Sequence, residues 1–198
     1  MVIPKLTALF FLYIFYTYFF NLPNFYSHDL LALVGIFSII IGTFALFYQS
    51  DIKRFLAFSG ISHLGFILLG LFCDDISSFL LYTIIYSITT INIFMILIFY
   101  TQYLGKEVLQ INQLYGLPSH NPYLAICFAS ALFSLAGVPP FLGFYAKFFV
   151  ITSYLKYLFF LPFFAILFST IACAIYLRML QSSQFELTNN NNPIHPSI

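Results

Sequence analysis

Charged residues are so sparse in this chain that their spacing dictates what it can fold into. After Lys5 none occurs until Asp29. The next charge-free run ends at Asp51, Lys53 and Arg54, and another at Asp74 and Asp75. A longer run reaches Lys106 and Glu107, after which only Lys147 and Lys156 precede Arg178. A helix that crosses a membrane needs ~20 mostly apolar residues. The charges punctuate the chain at about that interval. The spacing predicts an all-α, polytopic transmembrane helix bundle of about six spans, near 6–21, 30–49, 55–72, 77–102, 122–155 and 157–180.

Composition closes off the other classes. The chain is 62% hydrophobic and only 7% charged, with a mean hydropathy of +0.97. A soluble domain carries about 25% charged residues, so no water-exposed surface can be built from this set. The net charge of +1 gives no field for a polyanion, so no nucleic-acid partner is expected and membrane lipids are. Phe 28, Tyr 15 and Trp 0 follow AT-rich codon usage, which points to an organelle gene. Cys73, Cys127 and Cys173 are far apart and form no C-x-x-C pair, which leaves them as small packing residues without metal-site spacing.

Turn chemistry separates the apolar runs. Asn21, Pro23 and Asn24 mark one connection, and Pro118, Ser119, His120, Asn121 and Pro122 another. Residues 182–198, with Asn189 to Asn192 and two prolines, predict a polar, disordered tail. Residues 1–181 then form a single membrane domain. No cleavable presequence is visible, because the first apolar run leads to asparagine and proline instead of a small-residue cleavage site.

The fifth run is too long for one straight crossing. As continuous helix, 122–156 would reach ~50 Å against a hydrocarbon core of ~30 Å. It is interrupted at Gly137-Val138-Pro139-Pro140-Phe141-Leu142-Gly143. Two prolines remove two backbone donors, and the glycines relax the chain. In lipid the freed carbonyls must find partners inside protein or in a wet cavity. Two readings stand: a broken helix at a site, or a tight loop between two short spans. With the break counted once, Lys5, Lys53, Arg54, Lys106 and Arg178 fall on one side, as positive-inside bias requires, with Lys156 opposite.

Lys147 is the most informative residue. It follows the break by about a turn and has apolar neighbours on both sides. A lysine in mid-membrane costs ~2.5–3.5 kcal/mol on insertion scales, so it should face protein or water. An ammonium taken out of water releases its proton more readily, which suits a reversible carrier. The alternative is snorkelling to an interface. His63 lies inside the third helix, beside Ser59 and Ser62. Histidine titrates near neutral pH, so it could relay protons or simply bond a neighbouring helix. Tyr82 and Tyr86 share a face of the fourth helix at i, i+4, where they hold water or link helices. Asp51 is placed to cap the next helix.

Two stretches carry a resemblance. The run from Asp51 to Gly65, DIKRFLAFSGISHLG, resembles the D/N-I-K-R-x-L-A-Y-S-S-I-S-H-x-G segment of antiporter-like membrane subunits of NADH:ubiquinone oxidoreductase, or complex I. The run from Ser134 to Phe148 resembles their S-L-A-G-x-P-P-x-x-G-F-x-x-K-F/W broken helix, and Ile175-Tyr176-Leu177-Arg178 their Y-Y-L-R. The larger members carry His-x-x-x-Lys on the helix after the serine–histidine motif. Here Tyr82 and Tyr86 stand instead, as in the subunit 2 branch. The likeness covers roughly residues 1–181 and only the carboxy-terminal part of that family.

The resemblance implies proton translocation in the mitochondrial inner membrane. It implies Lys147 as a terminal relay lysine, His63 as part of a central hydrated axis, and Lys5, in a P-K-x-A-like stretch, as a second relay lysine within a helix. It implies no cofactor bound by this chain; NADH, FMN, iron–sulfur clusters and ubiquinone belong elsewhere in the complex. Expected partners are the other membrane-arm subunits and a separate chain supplying the amino-terminal half. Two further functions stay open: a cation/proton antiporter subunit outside complex I, and a structural remnant bracing its neighbours.

Overall fold

The computed structural model describes residues 2–19, 25–72, 76–105, 107–155 and 160–184. Among the described residues eight α-helices run in order: α1 Val2–Phe19, α2 Phe25–Phe47, α3 Ile52–Phe72, α4 Ile76–Leu104, α5 Leu117–His120, α6 Pro122–Ala136, α7 Leu142–Leu155 and α8 Phe160–Gln184. One 3-10 turn, Ile111–Leu114, precedes α5. Among the described residues there is no β-strand, only one isolated bridge between Asp51 and Gln110. The chain is an all-α membrane bundle. Ile52–Leu71, Ile76–Leu104 and Phe160–Gln184 are each long and apolar enough to cross a membrane, and shorter apolar helices lie in α1, α2, α6 and α7. Joining α6 to α7 across the break gives the six rods that the charge spacing predicts.

The bundle wears its apolar residues outside. Phe11, Tyr18, Phe37, Ile88, Ile126 and Phe163 are all exposed, whereas Ser59, Ser62, His63, Thr83, Thr90 and Lys147 are buried. Apolar outer walls suit lipid as solvent, and polar groups turned inward find partners in protein. Serine and threonine hydroxyls close their own shells by donating back along their helices, as Ser62 does to Ser59 O at 2.9 Å and Thr83 to Phe79 O at 2.8 Å. α3 is the central rod: 67% of its candidate span is inside the bundle, against 22% for α8. It packs tightly on α2 through small residues. A Cβ on Gly42 would come within 2.6 Å of the Ser62 backbone nitrogen. Helices in lipid associate through such close approach.

The connection between α4 and α6 is more ordered than turn chemistry predicts. Ile52 N–H donates to Leu109 O at 3.0 Å and Ile111 N–H to Ser50 O at 2.9 Å, tying this segment to the α2–α3 corner. The Gln113 side chain accepts from Leu109 N–H at 2.7 Å. Asn121 caps α6, accepting from Tyr123 and Leu124 N–H at 3.2 and 3.4 Å, with Pro122 at the first helical position. Asn121→Ala is expected to cost about 1 kcal/mol. Hydrogen exchange should rise at those two amides with little change elsewhere; unaltered exchange there would refute the cap.

Three expectations are corrected. α8 continues to Gln184, beyond the predicted boundary at 181. Ser183 is fully buried, and the Gln184 side chain donates to Ala125 O at 3.3 Å. Asp51 is not a side-chain cap: its carboxylate pairs with Arg54 at 3.3 Å, while its carbonyl accepts from Phe55 N–H at 2.8 Å. Cys127 is exposed on the outer wall, so it is not a packing residue, whereas Cys173 is half-buried. The 21–24 turn, Cys73, Asp74, Asp75, Lys106, Lys156 and the tail from 185 lie outside the described residues.

Candidate functional site

Lys147 completes a helix that two prolines leave open. α6 ends at Ala136, and Gly137 turns away at φ 78, in the left-handed region that glycine tolerates. Gly137 N–H serves the carbonyls of Phe133 at 3.0 Å and Ser134 at 3.1 Å. The carbonyls of Leu135 and Ala136 would next look four residues ahead, to 139 and 140. Both are proline and have no N–H. The Lys147 ammonium takes their place, donating to Leu135 O at 3.0 Å and Ala136 O at 2.8 Å. It also sits at the negative end of the α6 dipole and 5.7 Å from the Phe66 ring centroid.

These contacts offset the cost of a buried charge. Insertion costs ~2.5–3.5 kcal/mol, and each charge-assisted bond returns about 1.5–3 kcal/mol. Two glycines allow the geometry. The Lys147 methylenes fold over Gly137, and Gly143, in the first turn of α7, lies against the Ser134 backbone. The tight-loop and broken-helix readings thus merge, because a side chain bridges the break.

His63 is held by tyrosines from two helices. Its Nδ1 lies 2.9 Å from Tyr82 Oη of α4, and its Nε2 lies 3.3 Å from Tyr176 Oη of α8. Tyr86 stacks on the ring at 5.0 Å between centroids, with an interplanar angle of 29°. A neutral imidazole has one donor and one acceptor nitrogen, so one tyrosine accepts and the other donates. Reversing both hydroxyls supports the other tautomer. The histidine therefore links three helices and can also pass a proton through itself.

A cavity of about 10 Å³, room for one water, is lined by both groups. Lys147 and Ser134 line one side; His63, Tyr82, Tyr86 and Thr89 line the other. Lys5 approaches from beyond this cluster. Its ammonium and the Tyr86 hydroxyl both crowd the position of a Cβ on Gly60. Gly60 lies well inside α3, and Lys5 is half-buried beside it. Lys53 and Arg54 stay exposed at the α3 start.

The arrangement suits proton exchange. An ammonium has three N–H donors, and two are committed to carbonyls. The neutral amine keeps two N–H groups for the same carbonyls and presents a lone pair at the third position. Lys147 can change charge without releasing the break. The sequence singled out Lys147, His63 and Lys5 as candidates, and the structure brings the first two to one cavity. It missed Ser134 and Tyr176 as site residues. Tyr176 stood only in the Tyr-Leu-Arg ending, 113 residues from its partner, a distance at which sequence gives no pairing signal.

Comparison with known proteins agrees with the fold and motifs. Residues 1–175 match the NADH:quinone oxidoreductase/Mrp antiporter transmembrane family. The chain is 41% identical over 169 residues to NADH-ubiquinone oxidoreductase chain 2 of Rhizopus oryzae, covering 80% of this chain and 32% of that one. It is 39% identical over 163 residues to NADH-quinone oxidoreductase subunit N of Coxiella burnetii, covering 80% and 34%. Respiratory complex I from Thermus thermophilus contains a chain of similar fold, with a TM-score of 0.68 and 26% identity over 79% of this chain and 36% of that one. The chain spans about a third of the length of the curated relatives it matches. With its serine–histidine helix, its proline-broken helix and its interior lysine, the chain belongs to the NADH:quinone oxidoreductase/Mrp antiporter transmembrane family.

Proposed function

We propose that this chain is a proton-translocating section of the membrane arm of NADH:ubiquinone oxidoreductase, in the mitochondrial inner membrane. The observation that carries the reading is Lys147: a buried lysine that donates to two backbone carbonyls, beside a cavity shared with His63. Lys147 and His63 exchange a proton across that cavity, and Lys5 extends the row through Tyr86. Charge arriving at one member makes its neighbour release a proton, so the row acts by successive electrostatic displacement. NADH oxidation and quinone reduction, with FMN and iron–sulfur clusters, belong to other subunits. No step here runs through them. The helices from α1 through the end of α8 at Gln184 act as one membrane unit in this reading.

A native gel of gently solubilised membranes, read by mass spectrometry, tests the assignment. The chain should migrate with NADH dehydrogenase activity, beside other membrane-arm subunits. Migration apart from that activity would overturn it and favour a separate cation/proton antiporter. One observation favours a bracing role instead: Lys147 mends the proline break. Substitutions that keep the mend but not the proton distinguish the two.

A further inference from the structure

Ser134 is the one buried side-chain polar atom without a hydrogen-bond partner among the described residues. Three other buried serines, Ser59, Ser62 and Ser183, donate back to their own helix, as Ser59 does to Leu56 O at 3.0 Å. Ser134 instead lines the cavity between Lys147 and the His63 cluster. A buried hydroxyl left unpaired costs about 1–3 kcal/mol, so its partner belongs in that space. The space has the volume of a single water, and such a water needs two to four polar partners. The Ser134 hydroxyl, the third position of Lys147 and the Tyr82 or Tyr86 hydroxyl supply them.

We infer that Ser134 is a positioning residue for the proton step, holding one water between Lys147 and the His63–tyrosine cluster. The inference rests on the relay reading of Lys147. In the step the ammonium loses one proton and becomes a neutral amine. The water accepts that proton and hands one of its own to the cluster, so the water is unchanged. Ser134 takes no proton. Its hydroxyl fixes the orientation of the water, which decides whether an oxygen lone pair faces the ammonium while an O–H faces the cluster.

The test uses the whole complex in sealed native membrane vesicles, with single-turnover proton release and difference infrared spectra in ordinary and heavy-oxygen water. Ser134→Ala should slow proton release about tenfold, as misplaced reacting groups do. It should also remove one O–H band that shifts in heavy-oxygen water. Ser134→Thr, which keeps the hydroxyl, should restore both. The inference is overturned if Lys147→Arg blocks release while Ser134→Ala leaves rate and band unchanged. Slow release with the water band intact, or with no rescue by threonine, would also overturn it by making Ser134 merely structural. If Lys147→Arg itself leaves release normal, the relay reading falls, and this inference with it.

Discussion

Lys147→Arg is expected to leave the complex assembled and to stop proton movement through this section. A guanidinium still donates to the carbonyls of Leu135 and Ala136, and it stays charged at every pH the protein meets. It can mend the break but cannot cycle a proton. Proton release should slow about a hundredfold, the range for loss of a positioned acid–base group, while the amount of assembled complex holds. Lys147→Ala should fail differently. It orphans two buried carbonyls, at a cost on the order of 2–6 kcal/mol. Assembly on a native gel should then fall along with pumping. Normal proton release in the arginine variant would assign Lys147 to bracing alone.

Gly143→Val should be the most damaging single change outside the lysine. A Cβ at this position would run into the Ser134 carbonyl and lie 2.7 Å from its carbonyl carbon. The obstacle is backbone, which no rotamer change relieves. α7 would have to move off α6, and Lys147 would lose its reach to Leu135 and Ala136. Overpacking costs about 1–3 kcal/mol where side chains can shift, and more is expected here. Gly70→Ala is the control, because its added methyl would meet Phe79 and Val150 at an ordinary 3.4 Å. Assembly should survive Gly70→Ala and collapse in Gly143→Val. Equal yields of the two would mean that the α6–α7 joint is not the tight contact described.

The legibility of this chain follows from where its signals lie. Long charge-free runs announced the rods. Pro139 and Pro140 announced the break, because a missing N–H is a local property of the sequence. Lys147 was visible as a charge out of place. What the sequence withheld was pairing. That the two carbonyls robbed by the prolines would be met by Lys147 needs α7 folded back on α6. That Tyr176 would face His63 needs α8 laid against α3. The order between α4 and α6 rests on the Gln113 side chain and on bonds to the α2–α3 corner. None of these leaves a trace in hydrophobic periodicity, which is weak in helices that are apolar all round.

The Tyr82–His63–Tyr176 contact gives α3 a direction as well as a partner. A hydroxyl–imidazole–hydroxyl chain has polarity, because every hydrogen bond in it points the same way at a given moment. One proton entering at one end and leaving at the other reverses them all. A second proton arriving from the same side then meets donors, not acceptors. The phenolic hydrogens swing back freely, but the imidazole resets only by turning over or by surrendering a proton backwards. Packed within 5.0 Å of Tyr86 and gripped at both nitrogens, the ring turns over with difficulty. In the proposed relay such a cluster would act as a turnstile, admitting protons singly and remembering the side from which the last one came.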